Sequence, residues 1–198
     1  MSTAETTTMT DTRSRLCMAG LDCIKRHGYE KTTMGDIAAQ AGIARPTLYK
    51  YFKSKQEILF AGIDTVALAF ALAVADHARQ FNTLEERIIE TIVFVVQAMP
   101  QHPYLSLVFE EQMPRALRER AFSDEATAVF AQITSRPLVE ICPPLAADEI
   151  EISEIMSRFA LAMMLFPGRY GNDREGLRTL IRKRVVPGLI ADQGAGGT

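Results

Sequence analysis

The sequence predicts an all-α protein of about nine helices, in which a small N-terminal three-helix unit precedes a larger helical bundle. Apolar residues recur at helical spacing through most of the 198 residues, and no convincing alternation of apolar and polar residues predicts a strand. Hydrophobic residues make up 47% of the chain and charged residues 23%, which suits one large domain or two small ones with a substantial core.

The N-terminal end combines a polar stretch with a first helix. Residues 1–10 are rich in threonine and are predicted to be a flexible tail. The first helix covers about residues 11–27 and is followed by Gly28, because glycine readily adopts the backbone conformation found just after a helix.

The next two predicted helices are short, and their ends carry recognisable signals. Thr33 is the predicted N-cap of a helix over about residues 34–40, and Asp36 lies near the positive end of its dipole. Gly42 can supply the positive φ of a tight turn, and Pro46 is tolerated in the first turn of the helix that follows.

The remaining helices form the predicted bundle. Ser54 caps a fourth helix that ends near residue 79, and its 61–75 portion is apolar nearly all round, which predicts burial between layers. Thr83 begins a capping box for a fifth helix, which ends near Pro100. Further helices are predicted between Pro103 and Pro114, over about 115–141 with a break near Ser123, and over about 147–166 and 173–191.

Charge is unevenly distributed along the chain. Residues 11–60 contain nine Lys and Arg against five Asp and Glu, whereas residues 61–198 contain thirteen against eighteen. This pattern indicates that only the N-terminal part faces phosphate, although ordinary charge scatter would explain the counts about as well. The three cysteines form no CxxC pair, which favours a reducing cytoplasm without a disulfide framework.

The segment over residues 32–55 has the pattern of a DNA-binding helix-turn-helix. Its second helix places Leu48 and Phe52 on one face, where they can pack against Ile37 and the first helix. The other faces carry side chains that suit base edges and phosphates, namely Arg45, Thr47, Tyr49 and Lys50. A helical hairpin that serves only as core is the alternative, and the basic and aromatic run at 49–55 favours DNA binding.

From about Arg13 to Leu59 the sequence resembles the DNA-binding domain of the tetracycline-repressor (TetR) family of bacterial transcriptional regulators. The shared pattern is a first helix ending in glycine, Thr-Thr, Asp-Ile-Ala-x-x-Ala-Gly-Ile and Leu-Tyr-x-Tyr-Phe-x-x-Lys, here Gly28, Thr32-Thr33, 36–43 and 48–55. One position departs from it, because Ala44 opens the second helix where the family commonly has Ser or Thr. A lost hydroxyl cap costs about 1 kcal/mol of helix stability.

The resemblance implies two groups of DNA-binding residues. Those that match phosphate-contacting positions are Thr33, Tyr49 and Lys55, and those that lie where bases are usually read are Arg45, Pro46 and Thr47. Lys50 can also reach phosphate from its place on the helix. The implied domains are a helix-turn-helix DNA-binding domain over 11–54 and a helical ligand-binding and dimerisation domain over 55–198.

The bundle contains candidates for a dimer interface and a ligand pocket. Apolar stripes on the last two helices, which pair with their copies in TetR-like proteins, nominate Ile155, Phe159, Leu177, Ile181 and Val185. Aromatic and Met residues of the middle helices nominate an apolar pocket lined by Phe94, Met99, Phe109, Met113, Phe130 and Met163. Packing within one chain is the alternative for both sets, and for any single pocket residue a plain core is favoured.

No pattern in the sequence predicts enzyme chemistry. The histidines share no metal-ligand spacing with one another or with the cysteines, none of the common catalytic or nucleotide-binding motifs is found, and no cofactor is expected. Without a secretory signal or a long uncharged apolar run, we expect a cytoplasmic protein with no membrane partner.

These observations predict a ligand-responsive regulator rather than an enzyme. It would act as a repressor that binds a palindromic, double-stranded operator as a homodimer and is released by a small apolar or aromatic effector. The alternatives are a ligand-independent architectural or partner-binding DNA-binding dimer, and a DNA-processing enzyme that uses the helix-turn-helix only for targeting.

Overall fold

The computed structural model describes residues 3–170 and 173–190, with side chains from residue 11 onward. Within these ranges the regular structure consists of ten α-helices and three short 3₁₀ turns, which confirms the predicted all-α class. The α-helices are α1 (Thr3–His27), α2 (Met34–Gln40), α3 (Arg45–Tyr51), α4 (Lys55–Ala78), α5 (Leu84–Ala98), α6 (Arg115–Ala121), α7 (Asp124–Ile141), α8 (Glu149–Leu165), α9 (Arg174–Arg184) and α10 (Val186–Ile190). The 3₁₀ turns are Leu105–Phe109, Pro143–Ala147 and Gly168–Tyr170.

The start of α1 differs from the predicted start near residue 11, while the flexibility of residues 1–10 stays a prediction. The helix begins at Thr3, and residues 1–2 lie outside the described residues. Once a helix is nucleated, each added residue contributes one further backbone hydrogen bond, and no Gly or Pro interrupts residues 3–10. A Thr-rich composition therefore does not stop the helix.

The chain divides into two compact units. The N-terminal unit comprises Met1–Ala67 and Pro103–Phe122, and the C-terminal unit comprises Leu68–His102 and Ser123–Thr198. The structural division thus falls inside α4, and residues 103–122 join the N-terminal unit. The functional division predicted between residues 54 and 55 stays a prediction.

The ends of α1 and α2 follow the signals in the sequence. Gly28 has φ +83° directly after α1, and Gly42 has φ +67° in the turn between α2 and α3. Thr33 forms a complete capping box with Asp36: the Thr33 hydroxyl oxygen accepts from the Asp36 N–H at 3.2 Å, and the Asp36 carboxylate accepts from the Thr33 N–H at 2.9 Å. These local signals explain where the two helices end and begin.

The core of the N-terminal unit holds α3 in place. Leu48 and Phe52 are fully buried against Leu16 of α1 and Ile37 of α2, as the helical spacing predicts. A Cβ at Gly20 would lie 2.3 Å from the Ile58 side chain, so α1 and α4 approach too closely for a larger residue. Burial of these side chains fixes which face of α3 points to solvent.

In the C-terminal unit α5 packs against α8 and α9. Glu90 of α5 is completely buried and forms ion pairs with two arginines of α9, Arg174 at 2.8 Å and Arg178. Arg182 and Glu85 form a third pair, at 2.7 Å, at the other end of the same contact. The cations neutralise a carboxylate that would otherwise be costly to bury, so this row of pairs fixes α9 on α5.

Helix α4 is more exposed than the sequence predicts. Its first half buries Ile58 and Ile63 in the N-terminal unit, and its second half buries Val74 in the C-terminal unit. Leu68 and Leu72, however, are 49% and 52% exposed, which corrects the expectation of burial all round. Among the described residues, α4 is the one helix with the length and hydropathy of a membrane span, a composition that the core helix of a soluble protein also has.

Candidate functional site

Helix α3 presents a polar face to solvent. Arg45, Pro46, Tyr49 and Lys50 are exposed and Thr47 is half-buried, while Leu48 points into the core. The structure thus brings together on one short helix five of the seven predicted DNA-binding residues. A rigid helix with a polar outer face is the arrangement required of an element that enters the major groove.

Arg45 and Tyr49 interact with each other one turn apart. An Arg45 guanidinium nitrogen donates to the Tyr49 hydroxyl oxygen at 3.3 Å, and the guanidinium carbon lies 5.7 Å from the centre of the Tyr49 ring. The hydrogen bond raises the pKa of Arg45 above its already high ordinary value, so the group stays charged. The pair presents a cation and a phenol side by side, which suits a base edge next to a phosphate.

The N-terminus of α3 lacks a side-chain cap. Ala44 occupies the N-cap position with φ −69° and ψ 140°, and its side chain makes no capping hydrogen bond. Its carbonyl oxygen still accepts from the N–H groups of Thr47 and Leu48, and Pro46 occupies the first turn. The departure seen in the sequence is therefore a structural fact, and α3 depends on its buried anchors rather than on a cap.

Thr33 is exposed, but its hydroxyl is already in use. In addition to its capping role, it donates to the Asp36 carboxylate at 2.7 Å. These hydrogen bonds lower the pKa of Asp36 below its ordinary value. A contact from Thr33 to phosphate would place that phosphate close to the Asp36 carboxylate, so the position stays a prediction with an electrostatic cost.

Lys55 is placed differently from what its predicted role requires. Its ammonium donates to the carbonyl oxygens of Tyr29, Thr32 and Glu30 at 2.6, 3.1 and 3.4 Å, and lies 4.2 Å from the centre of the Tyr29 ring. An ammonium has three donors, and all three are directed at the loop between α1 and α2. The structure therefore gives Lys55 a loop-binding role, and phosphate contact by this residue stays a prediction.

Sequence reasoning missed a similar role for Arg13 of α1. One of its guanidinium nitrogens donates to the Tyr51 carbonyl oxygen at 3.1 Å, and the guanidinium carbon lies 4.2 Å from the centre of the Phe52 ring. It thus satisfies a free carbonyl at the C-terminus of α3 and supports the helix dipole. The contact joins residues 38 positions apart, and no local pattern signals it.

The predicted pocket residues are divided between the two units. Phe109 and Met113 belong to the N-terminal unit, whereas Phe94, Met99, Phe130 and Met163 belong to the C-terminal unit. Within the C-terminal unit, a cavity of about 20 Å³ lies between α5, α7 and α8. Its lining residues are Thr91, Ile92, Val95, Phe130, Thr134, Ser135, Ser153, Met156, Ser157 and Ala160.

Phe130 is the one predicted pocket residue in the wall of this cavity. Phe94 instead packs near Phe70 and His77, with ring centres 5.9 and 4.6 Å apart. The sequence prediction concentrated on Phe and Met and so overlooked the hydroxyl side chains of the wall. Ser153 and Ser157 lie four residues apart on α8, and this spacing is the signal that could have indicated them.

The predicted dimer residues differ in how far they are exposed. Leu177 and Ile181 are buried within the C-terminal unit, where they pack α9 against its neighbours, and their place in a dimer interface stays a prediction. Val185 and Phe159 are half-buried, and Ile155 is exposed. The amphipathic stripe of α9 fits the alternative of packing within one chain because α5 covers it.

Neither metal nor redox chemistry gains support from the structure. The described residues contain no group of three or more His, Cys, Asp and Glu side chains that could hold a metal ion. Burial raises the pKa of the Cys17 thiol to about 11 and raises that of Cys23 as well. Both thiols therefore remain protonated near neutral pH and react slowly.

The comparison with protein families decides the identity of the helix-turn-helix. Residues 17–61 match the family model of bacterial regulatory proteins, tetR family. Residues 17–61 therefore carry a helix-turn-helix of the kind found in TetR-family transcriptional regulators. An uncharacterised HTH-type transcriptional regulator of Mycobacterium tuberculosis is 25% identical to it over 158 residues, which are 78% of this chain and 73% of the relative.

Solved structures show that the TetR-like fold extends over most of the chain. The TetR family repressor AlkX from Dietzia sp. strain DQ12-45-1b, implicated in biodegradation of n-alkanes, matches with a TM-score of 0.66 and 18% identity, over 90% of this chain and 95% of AlkX. FadR from Bacillus subtilis in complex with stearoyl-CoA matches with a TM-score of 0.56 and 18% identity, over 84% of this chain and 96% of FadR. At this identity the likeness shows a shared fold.

Proposed function

We propose that this regulator is a repressor that binds a palindromic operator as a homodimer and releases it when a small apolar or aromatic molecule binds its C-terminal domain. The exposed polar face of α3, held by the buried Leu48 and Phe52, is the observation that carries the proposal. In functional terms, residues 11–54 would bind DNA, and residues 55–198 would bind the effector and the second protomer.

The proposed DNA contacts divide into base readers and phosphate anchors. Arg45 and Thr47 lie on the solvent side of α3 and would read base edges, with Pro46 beside them. Lys50 is exposed and makes no hydrogen bond or ion pair with the described residues, so its ammonium is available to phosphate. Tyr49 would add a second phosphate contact from its hydroxyl.

Operator selection from random duplexes, followed by fluorescence anisotropy with the full chain, tests these roles. We expect Arg45→Ala to reduce discrimination between the selected operator and base-substituted operators by roughly one order of magnitude. Lys50→Met should instead weaken binding to all duplexes equally and lower the salt slope by about 1 for each protomer bound. Equal effects of both variants on sequence preference would contradict the division.

An apolar stripe on α8 supports the proposed homodimer. Ile155, Phe159 and Ala162 recur at spacings of four and three, and all are exposed or half-buried in one protomer. The twofold symmetry of such a dimer would supply two copies of α3 to the two halves of a palindrome.

Light scattering on the full chain tests this stripe. Ile155→Glu should convert a dimer to a monomer, whereas Ile150→Glu, at a residue that is 85% exposed and lies off the stripe, should leave the mass unchanged. A dimer that survives Ile155→Glu would require a different interface.

The effector and its coupling to DNA are the finer part of the proposal. Of the two structural neighbours named above, AlkX is implicated in n-alkane biodegradation and FadR is in complex with stearoyl-CoA, which supports an effector with an apolar body. Helix α4 contributes its first half to one unit and its second half to the other, so a shift along it would reach both. The effector must then bind more tightly to the conformation that does not bind the operator. By thermodynamic linkage, the operator must weaken effector binding by the same factor by which the effector weakens operator binding.

A thermal-shift screen of apolar and aromatic compounds separates this mechanism from a ligand-independent architectural or partner-binding dimer. A true effector raises the melting temperature by mass action and lowers operator affinity, whereas the architectural dimer shows neither effect. Cleavage of DNA by the purified chain in the presence of divalent metal would instead favour a DNA-processing enzyme. The proposed location of all these activities is the cytoplasm.

A further inference from the structure

Two unpartnered hydroxyl side chains line the cavity between α5, α7 and α8. Thr91 on α5 and Ser153 on α8 both line this cavity, and each residue is only 4% exposed. Neither side-chain oxygen has a hydrogen-bond partner among the described residues. Each hydroxyl can donate one hydrogen bond and accept two, so the pair forms a buried polar site with unused capacity.

Two other hydroxyls of the wall are already occupied, and a third, on Ser157, is only half-buried. The Thr134 hydroxyl donates to the Phe130 carbonyl oxygen at 3.0 Å, and the Ser135 hydroxyl donates to the Glu149 carboxylate at 2.6 Å. Among the described wall residues, Thr91 and Ser153 therefore supply the hydroxyls that are both buried and without a partner. Leaving such groups unsatisfied costs free energy that a suitable ligand atom would recover.

Charge and size restrict which ligand group can enter. None of the ten lining residues carries a charge, and the Glu149 carboxylate is hydrogen-bonded to the Ser135 hydroxyl of the wall. An ionised carboxylate would thus be buried without a cation and close to a like charge, which is strongly unfavourable. A volume of about 20 Å³ suits one oxygen-sized group, since a water molecule requires roughly 10–15 Å³ by the same measure.

We propose that Thr91 and Ser153 form the polar anchor of the effector site and bind one uncharged oxygen, a hydroxyl or a carbonyl, of a ligand with an apolar body. Met156 and Ile92 supply apolar wall around the anchor, and Met can adjust its shape to a ligand. Phe130 is half-buried and its ring centre lies 6.3 Å from that of Phe70, so an aromatic surface borders the cavity. The inference rests on the proposed effector function and specifies the chemistry of its ligand.

Three probes test the proposal. Each has one benzene ring, and they differ in the group attached to it: a hydroxymethyl group in benzyl alcohol, a methyl group in toluene and a carboxylate in benzoate. Binding to the full chain without DNA is measured by calorimetry and thermal shift for the wild type, Thr91→Val and Ser153→Ala. We expect either substitution to lower the affinity for benzyl alcohol relative to toluene by about tenfold, since it removes a hydrogen bond to the anchored oxygen. Benzoate should give no thermal shift.

Thr134→Val is the matched control, because it makes the same change of shape in the same wall at a hydroxyl that is already bonded to a backbone carbonyl. It should leave the ratio of the two affinities unchanged. Thr91→Val removes an unpartnered polar atom, so its melting temperature should equal or exceed that of the wild type, which shows that the variant folds.

The outcomes separate the anchor from the proposed function. An unchanged alcohol-to-toluene ratio in both variants, or benzoate binding as tight as benzyl alcohol, would overturn the anchor even if another compound releases the operator. If the ratio falls as expected, the anchor stands. Its ligands can then be added to the operator complex, where a failure to release DNA would count against the repressor mechanism alone.

Discussion

Lys55→Met distinguishes a lysine that binds a protein loop from one that binds phosphate. The substitution keeps most of the apolar stem and removes the ammonium, which donates to three carbonyl oxygens of the loop after α1 at 2.6–3.4 Å. That loop positions the N-terminus of α2. We therefore expect the variant to lose stability first and DNA affinity as a consequence.

The size of the loss follows from these contacts. A hydrogen bond from a charged donor contributes about 1.5–3 kcal/mol, but three bonds from one half-buried ammonium are not additive. The stacking of the ammonium on Tyr29 adds about 0.5–1 kcal/mol. We expect a total loss of about 2–4 kcal/mol, which lowers the melting temperature of a chain of this size by roughly 5–15 °C.

Thermal unfolding and a salt titration of operator binding are measured together, with Lys50→Met as the matched control. Lys50 is exposed and free of partners among the described residues, so its variant should keep the wild-type melting temperature and lower the salt slope. Lys55→Met should show the reverse, a lower melting temperature with an unchanged slope. If Lys55→Met melts within about 1 °C of the wild type and its slope falls as in Lys50→Met, the loop-binding role is refuted.

Three further predictions concern helix ends and the buried ion pairs. Because hydrogen bonds to Thr33 lower the pKa of Asp36, the capping box stabilises the fold above the ordinary carboxyl value of 3.8, and this contribution is lost as the pH falls through the lowered value. Urea unfolding of Asp36→Ala should therefore differ from wild type at pH 7 and converge with it in acid; a constant difference would contradict this. Ala44→Ser should stabilise the fold by about 1 kcal/mol in the same assay, because the new hydroxyl can cap α3. An unchanged stability would contradict this. Glu90→Ala should destabilise it by about 2–4 kcal/mol, because Arg178 loses its buried partner; a neutral result would show that α9 does not depend on the pair.

The parts of the fold that depend on neighbours in sequence were predicted well. Gly28 and Gly42 adopt the positive φ expected of them, and Thr33 and Thr83 cap the helices that follow. The anchors Leu48 and Phe52 are buried as the helical period requires. In each case the deciding interaction spans at most four residues or follows from the helical repeat, so the sequence contains the whole of it.

The points at which the structure departs from the sequence interpretation share the opposite property. Leu177 was assigned to a dimer interface because an apolar stripe does not reveal which surface covers it, and here the cover is α5. Lys55 matched a phosphate-contacting position, but its partners lie 23–26 residues earlier in the chain. The ligand pocket was predicted from large apolar side chains, whereas the buried, unpartnered hydroxyls of the cavity belong to Thr91 and Ser153.

By itself, then, the sequence determined the all-α class, the ends of the helices and the family of the helix-turn-helix, because these depend on local backbone preferences and a repeat of 3.6 residues. The tertiary structure decided which polar groups remain available. It paired the Lys55 ammonium with carbonyls and covered the apolar face of α9, and it left Lys50 in solvent and two hydroxyls facing a cavity. The physical reason is that a side chain is satisfied or left free by groups distant in sequence, and only folding determines which groups those are.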